Sequence, residues 1–98
     1  NLAHAGSIIF NSECQINYIC SAIEYMLNND YKVIRVKAEV EKDYQDKFDS
    51  RHKKMVWQDE RVSSWYQNSK GKVVTTSPWR LVEYWNWTNN FNADEYDF

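Results

Sequence analysis

The stretch Leu2-Ala-His-Ala-Gly-Ser-Ile-Ile-Phe-Asn-Ser-Glu-Cys-Gln-Ile-Asn-Tyr-Ile-Cys-Ser-Ala-Ile-Glu-Tyr-Met-Leu27 decides the fold. It reads as a small-residue loop, residues 1–7, feeding an amphipathic helix over about 8–29. Ile16, Ile19, Ile23 and Met26/Leu27 recur at steps of three and four, while Asn17, Ser21, Glu24 and Asn28 fall elsewhere on the cylinder. The aliphatic face is expected to be buried. Ser12 followed by Gln15 has the form of a capping box, and Ser7 offers a second N-cap one and a half turns earlier. Either start leaves Ala3 to Ser7 at or near a helix N-terminus, where unpaired N–H groups and a partial positive charge favour an anion.

Outward from this helix, Asn28-Asn29-Asp30 is a polar stop. Val33-Ile-Arg-Val-Lys37 alternates in period two and predicts a short strand over about 33–37. A second helix is expected over about 40–56, with Val40, Tyr44, Phe48 and Met55 as its buried stripe. Acids stand at its start (Glu39, Glu41, Asp43) and bases at its end (Arg51, His52, Lys53, Lys54), as the helix dipole favours. Asp43 with Lys47 and Asp49 with Lys53 are acid-before-base pairs four apart. Ser63 to Thr75 predicts a β-hairpin in which Gly71 takes the positive φ of the turn. Ser77-Pro78 predicts the cap and first residue of a third helix over about 78–89, with Trp79, Val82 and Trp85 on its apolar face. The acidic final stretch is expected to pack only through Phe91, Tyr96 or Phe98.

Composition limits the chemistry. At 98 residues the chain carries five Trp, seven Tyr and four Phe but only three Leu, with a net charge of −2. Large amphipathic rings belong at boundaries between dry and polar surroundings, so they imply a wide aromatic binding surface or packing against further protein. No apolar run reaches the roughly 18 residues of a membrane span, and the start lacks the basic and apolar regions of a leader. A cytoplasmic protein without a membrane partner is expected. Cys14 and Cys20 lie about 9 Å apart along one helix and cannot pair, which suits a reducing compartment. The abrupt start at Asn1 is read as that of a processed or excised piece.

His4, Cys14, Cys20 and His52 lack metal-ligand spacing, so no metal site is expected. Gly6 and Gly71 are the only glycines and form no phosphate loop. Ser63 and Ser64 have no adjacent histidine to act as base. The run Arg51 to Lys54 is balanced by acids upstream and reads as a solvated helix end, not a nucleic-acid patch. His52 reads as a helix-end residue.

Residues 2–19 resemble the loop and Glu-x-Gln helix, here Glu13-Cys-Gln15, in the C-terminal part of flavin-dependent Baeyer–Villiger monooxygenases. Further matches follow in the same order: Met55-Val-Trp57, Ser64-Trp-Tyr66, the turn from Asn68 to Lys72, and Ser77-Pro-Trp-Arg-Leu-Val-Glu-Tyr-Trp85. The branch most resembled is the 4-hydroxyacetophenone monooxygenase type. Asn11 stands where relatives carry an apolar residue, and Asp59-Glu-Arg-Val62 where some have a Gly-containing turn.

The resemblance implies an α+β segment completing the FAD domain of a larger flavoprotein with two dinucleotide-binding domains. Such enzymes use FAD, NADPH and O2 to insert oxygen beside a ketone carbonyl or to oxidise sulfur. Both cofactors would be held mainly by the missing N-terminal part, the partner of this segment, because no G-x-G-x-x-G is present. The 98 residues alone are expected to be inactive and to contribute no catalytic residue. Carried over by position, Ser7, Ile8 and Ile9 would approach the flavin, and Ala3, His4, Ala5 and Gly6 would line the substrate. A reading of another class is a stand-alone module stacking ligands on Trp65, Tyr66, Trp79, Trp85 and Trp87. Self-association of the segment through an orphaned aromatic face is a further expectation.

Overall fold

A computed structural model describes residues 7–55, 59, 61, 67–73 and 76–98. The described elements form an α+β arrangement of three helices and a two-stranded antiparallel sheet. They are helix α1 (Ile8–Asn28), strand β1 (Arg35–Val36), helix α2 (Ala38–His52), helix α3 (Leu81–Thr88), a 3-10 turn (Ala93–Glu95) and strand β2 (Tyr96–Asp97).

Ser7, not Ser12, starts α1. Its backbone is extended and its Oγ accepts from the Phe10 N–H at 3.2 Å. The Asn28 to Asp30 stop works through backbone geometry. Asp30 takes φ +55°, its N–H donates to the Leu27 carbonyl at 3.3 Å, and the Tyr31 N–H donates to the Met26 carbonyl at 2.9 Å. These two bonds form a Schellman closure, which satisfies carbonyls that the helix end would leave bare.

The face of α1 that packs is not the expected one. Cys14 is buried and Tyr18, Ala22 and Tyr25 are half-buried. They meet α3 and the final stretch of the chain, where the Phe91 ring lies 5.6 Å from both Tyr18 and Tyr25. The aliphatic stripe stays open: Ile16 is 60% exposed, Ile19 55%, Ile23 50% and Leu27 76%. Periodicity marks the aliphatic stripe as the face to be buried, but the aromatic rings near residues 84–98 cover the opposite face, that of Cys14, Tyr18 and Tyr25.

The expected strand shortens to Arg35–Val36 and pairs with Tyr96–Asp97 in the register Arg35↔Asp97, Val36↔Tyr96. The final stretch is therefore part of the sheet, against the expectation of side-chain packing alone. The Tyr18 and Tyr96 hydroxyls share a hydrogen bond of 2.9 Å, and Phe98 stacks on Tyr31 at 4.6 Å. Burial pushes the Tyr18 phenol up, and the Tyr96 hydroxyl adds to this.

In α2, Phe48 is buried while Tyr44 is 40% exposed. Asp43 holds Lys47 at 2.6 Å as expected, but no Asp49–Lys53 pair forms among the described residues. Asp49 instead accepts from Gln45 at 3.0 Å and meets Lys72 at 3.3 Å, tying the 67–73 turn to the helix. In that turn Gln67 and Val73 form an antiparallel bridge, and Gly71 has φ +76°. Asn68 Oδ1 accepts from the Lys70 and Lys72 N–H groups, both at 3.0 Å. The rest of the expected hairpin, including Ser63, Ser64, Trp65 and Tyr66, lies outside the described residues.

His52 corrects a reading. It ends α2 but is buried, its ring 4.4 Å from Phe48 and its Nε2–H donating to the Thr76 carbonyl at 2.8 Å. The basic run is likewise not wholly solvated, since Arg51 pairs with Glu83 and lies 5.1 Å over the Trp79 ring. The third helix begins at Leu81, not at Pro78. Pro78 is buried, Ser77 Oγ accepts from the Trp79 N–H at 3.4 Å, and Arg80 is the N-cap.

Candidate functional site

The site is built where α1 and α3 begin. Ser7 caps α1, its carbonyl accepts from the Asn11 N–H at 3.2 Å, and the first turn holds no acidic side chain. The partial positive charge of this end is therefore not neutralised from within the helix.

On α3, Glu83 Oε2 accepts from the Arg80 N–H at 2.9 Å while Oε1 accepts from Arg51. The Arg80 N–H, and after it the Arg51 guanidinium, hold the Glu83 carboxyl below its ordinary range. One carboxylate thus fixes the start of α3 and ties it to α2. Leu81, Tyr84 and Thr88 are half-buried on this helix, whereas Val82 and Trp85 are exposed. Burial pushes the Tyr84 phenol up, against a hydrogen bond with Gln15.

Between the two helix starts, Ser7, Phe10, Leu81, Val82 and Trp85 line an open groove of about 540 Å³. Its walls are almost wholly apolar, and its size lies within the range of roughly 300–1,000 Å³ typical of small-molecule sites. Such a place can take the flat apolar body of a ligand and offer a polarised helix end to a negative edge.

Of the residues assigned by resemblance, Ser7 is in the groove wall. Ile8 and Ile9 lie beside it, 70% and 71% exposed, and do not line it. Ala3, His4, Ala5 and Gly6 lie outside the described residues. From the sequence, Trp85 is singled out as a site residue only for the stand-alone stacking module, and no site role is assigned to Phe10, Leu81 or Val82, although Leu81 to Trp85 fall within a matched stretch. The missing signal was the meeting of α1 with a helix more than 50 positions later.

The described tryptophans, Trp79, Trp85 and Trp87, divide between two places. Trp79 and Trp87 meet edge-to-face at 4.7 Å, in a second groove of about 460 Å³ that Arg51 also lines, while Trp85 belongs to the first. Among the described residues no cluster of His, Cys, Asp and Glu could hold a metal, and no helix is long and apolar enough to cross a membrane.

No family model matches the chain, and no solved structure matches it at a significant level. It is similar to the "Uncharacterized monooxygenase y4iD" of Sinorhizobium fredii, 36% identical over 95 residues. That alignment takes in 97% of this chain but only 14% of the relative's length.

Proposed function

We propose that this chain forms the C-terminal part of an FAD- and NADPH-dependent monooxygenase acting on ketones, in the Baeyer–Villiger manner, or on sulfur, and supplies one wall of the flavin and substrate site. The observation that carries this reading is the similarity, along 97% of the chain, to a protein described as a monooxygenase. The flavin supplies the O2 chemistry when bound. The residues present fit it: the capped α1 end, free of acid in its first turn, suits the anionic edge of a reduced flavin. A helix end in this position contributes about 0.3–1 kcal/mol, and up to ~2 when partly buried. Ser7 holds that end in place, and Phe10, Val82 and Trp85 exclude water from an apolar substrate.

The test is the full-length polypeptide that contains these residues. It is expected to purify with FAD and to oxidise NADPH when a small ketone or sulfide is added. Val82→Trp, which fills the groove, is expected to raise KM about tenfold while flavin content is unchanged. A full-length protein that binds no flavin sinks the reading; an unchanged KM removes the groove from the substrate site.

A further inference from the structure

Helix α1 carries three stripes. Cys14, Tyr18 and Tyr25 face the rest of this chain, and Glu13, Asn17, Glu24 and Asn28 form a polar edge. The third stripe is Ile9, Ile16, Ile19, Ile23 and Leu27, spaced by seven, three, four and four residues and hence on one side of the helix. Every member is at least 50% exposed. A helix apolar on two sides is an interior helix, yet this chain covers only one of them. We propose that the Ile9–Leu27 stripe is an internal interface, seated on the cofactor-binding body of the same polypeptide, so that α1 is a central helix with protein on both sides. This rests on the monooxygenase reading and names the partner that completes its site.

Three observations choose this occupant. The aligned stretch is 14% of the relative's length, so in that relative about six times as much chain accompanies it. Next, α1 contains no Lys or Arg at all. Helices that lie on membranes carry basic residues on their polar face, and this one offers Glu13 and Glu24 instead. Third, the radius of gyration is 15.5 Å, above the roughly 13 Å of a compact domain of this length. The principal extents of 51 × 29 × 19 Å are those of an elongated body with much of its apolar surface on the outside. The stripe is branched and uncharged, which suits close packing in a core more than a contact that must also be stable in water.

Thiol labelling of the full-length polypeptide in a Cys20→Ser background tests this, with a maleimide reading two neighbouring positions. Ile23→Cys lies on the stripe and Glu24→Cys on the polar edge. Position 23 is expected to react at least about tenfold more slowly than position 24, at every protein concentration. Equal rates overturn the proposal, and so does a reading frame that encodes nothing beyond these residues. Protection that disappears when a dimer is diluted to monomer assigns the stripe to a second copy and also overturns it. Protection that appears only with anionic vesicles assigns it to a lipid surface, with the same consequence. FAD content, measured on the same samples, separates the two claims. Protection without flavin leaves the interface standing and removes the monooxygenase reading, whereas flavin binding with a reactive position 23 does the reverse.

Discussion

At the scale of single residues, Gly71 and His52 carry the sharpest consequences. Gly71 sits at φ +76° and a Cβ there would meet nothing within 4 Å, so Gly71→Ala is penalised by backbone strain alone. The expected cost is about 1 kcal/mol in unfolding free energy, measured by denaturant titration. No loss would mean that the turn relaxes. His52 donates from Nε2 to Thr76, and its Nδ1 has no hydrogen-bond partner among the described residues. Burial lowers the ring's pKa from its ordinary 6.5, outweighing the Thr76 carbonyl and the Asp49 charge. The unfolded chain therefore takes up a proton near pH 6.5 that the folded chain refuses. The stability due to the neutral ring is whole above pH 6.5 and is lost as pH falls through 6.5 towards the folded value, by at most about 1.4 kcal/mol per pH unit. Unfolding measured between pH 7.5 and 5 should show this slope, and His52→Gln, which can still donate to Thr76 but does not titrate, should flatten it. An unchanged slope in the variant would place the titration elsewhere. The sequence showed the glycine's role, because a turn is local. It did not show the histidine's burial, because Thr76 lies 24 positions away.

At the scale of elements, the two helix starts of the candidate site were legible to different degrees. Ser7 and the Asn28–Asp30 stop are signals read within a few residues, and α1 runs between them. The start of α3 was misplaced at Ser77-Pro78, since the residue that sets it is Glu83, acting backwards on Arg80 and sideways on Arg51. Glu83→Ala removes the acceptor for the Arg80 N–H and the partner of Arg51. The cap accounts for about 1 kcal/mol. The ion pair adds less than about 1, because its side chains are 36% and 24% exposed and screened by water. A total loss of about 1–2 kcal/mol is expected, with faster amide exchange in the first turn of α3. Glu83→Gln keeps a carbonyl acceptor for the cap and should lose roughly half as much. Equal losses for the two variants would show that the charge, not the cap, fixes α3. If the groove is the substrate wall proposed above, both variants in the full-length protein should also raise KM, because Leu81, Val82 and Trp85 take their places from this helix start.

At the scale of the whole molecule, the expectation of an amphipathic helix was right about pattern and wrong about coverage. Hydrophobic period shows which faces of α1 are apolar; only the positions of Phe91, Tyr96 and Phe98 decide that the aromatic face is the one covered here. Those rings arrive with the final stretch of chain, whose strand pairing with Arg35–Val36 has no local signal. The stretch thus acts as a clamp across α1 and β1, and its removal is a direct test. Truncation before Tyr96 deletes β2, the 2.9 Å Tyr18–Tyr96 hydrogen bond and the Phe98 contacts with Tyr31 at 4.6 Å and Tyr25 at 5.3 Å. Two partly buried rings and one hydrogen bond together contribute about 2–4 kcal/mol. Tyr18→Phe, which removes only a hydroxyl, should cost about 1 kcal/mol. Amides of α1 near Tyr18 and Tyr25 should lose protection in the truncated chain, while those of α2, held by His52, Thr76 and Asp49, should keep theirs. Uniform loss across both helices would mean that α1 and α2 unfold as one cooperative unit, and the clamp would then be a support of the entire fold instead of one face of α1.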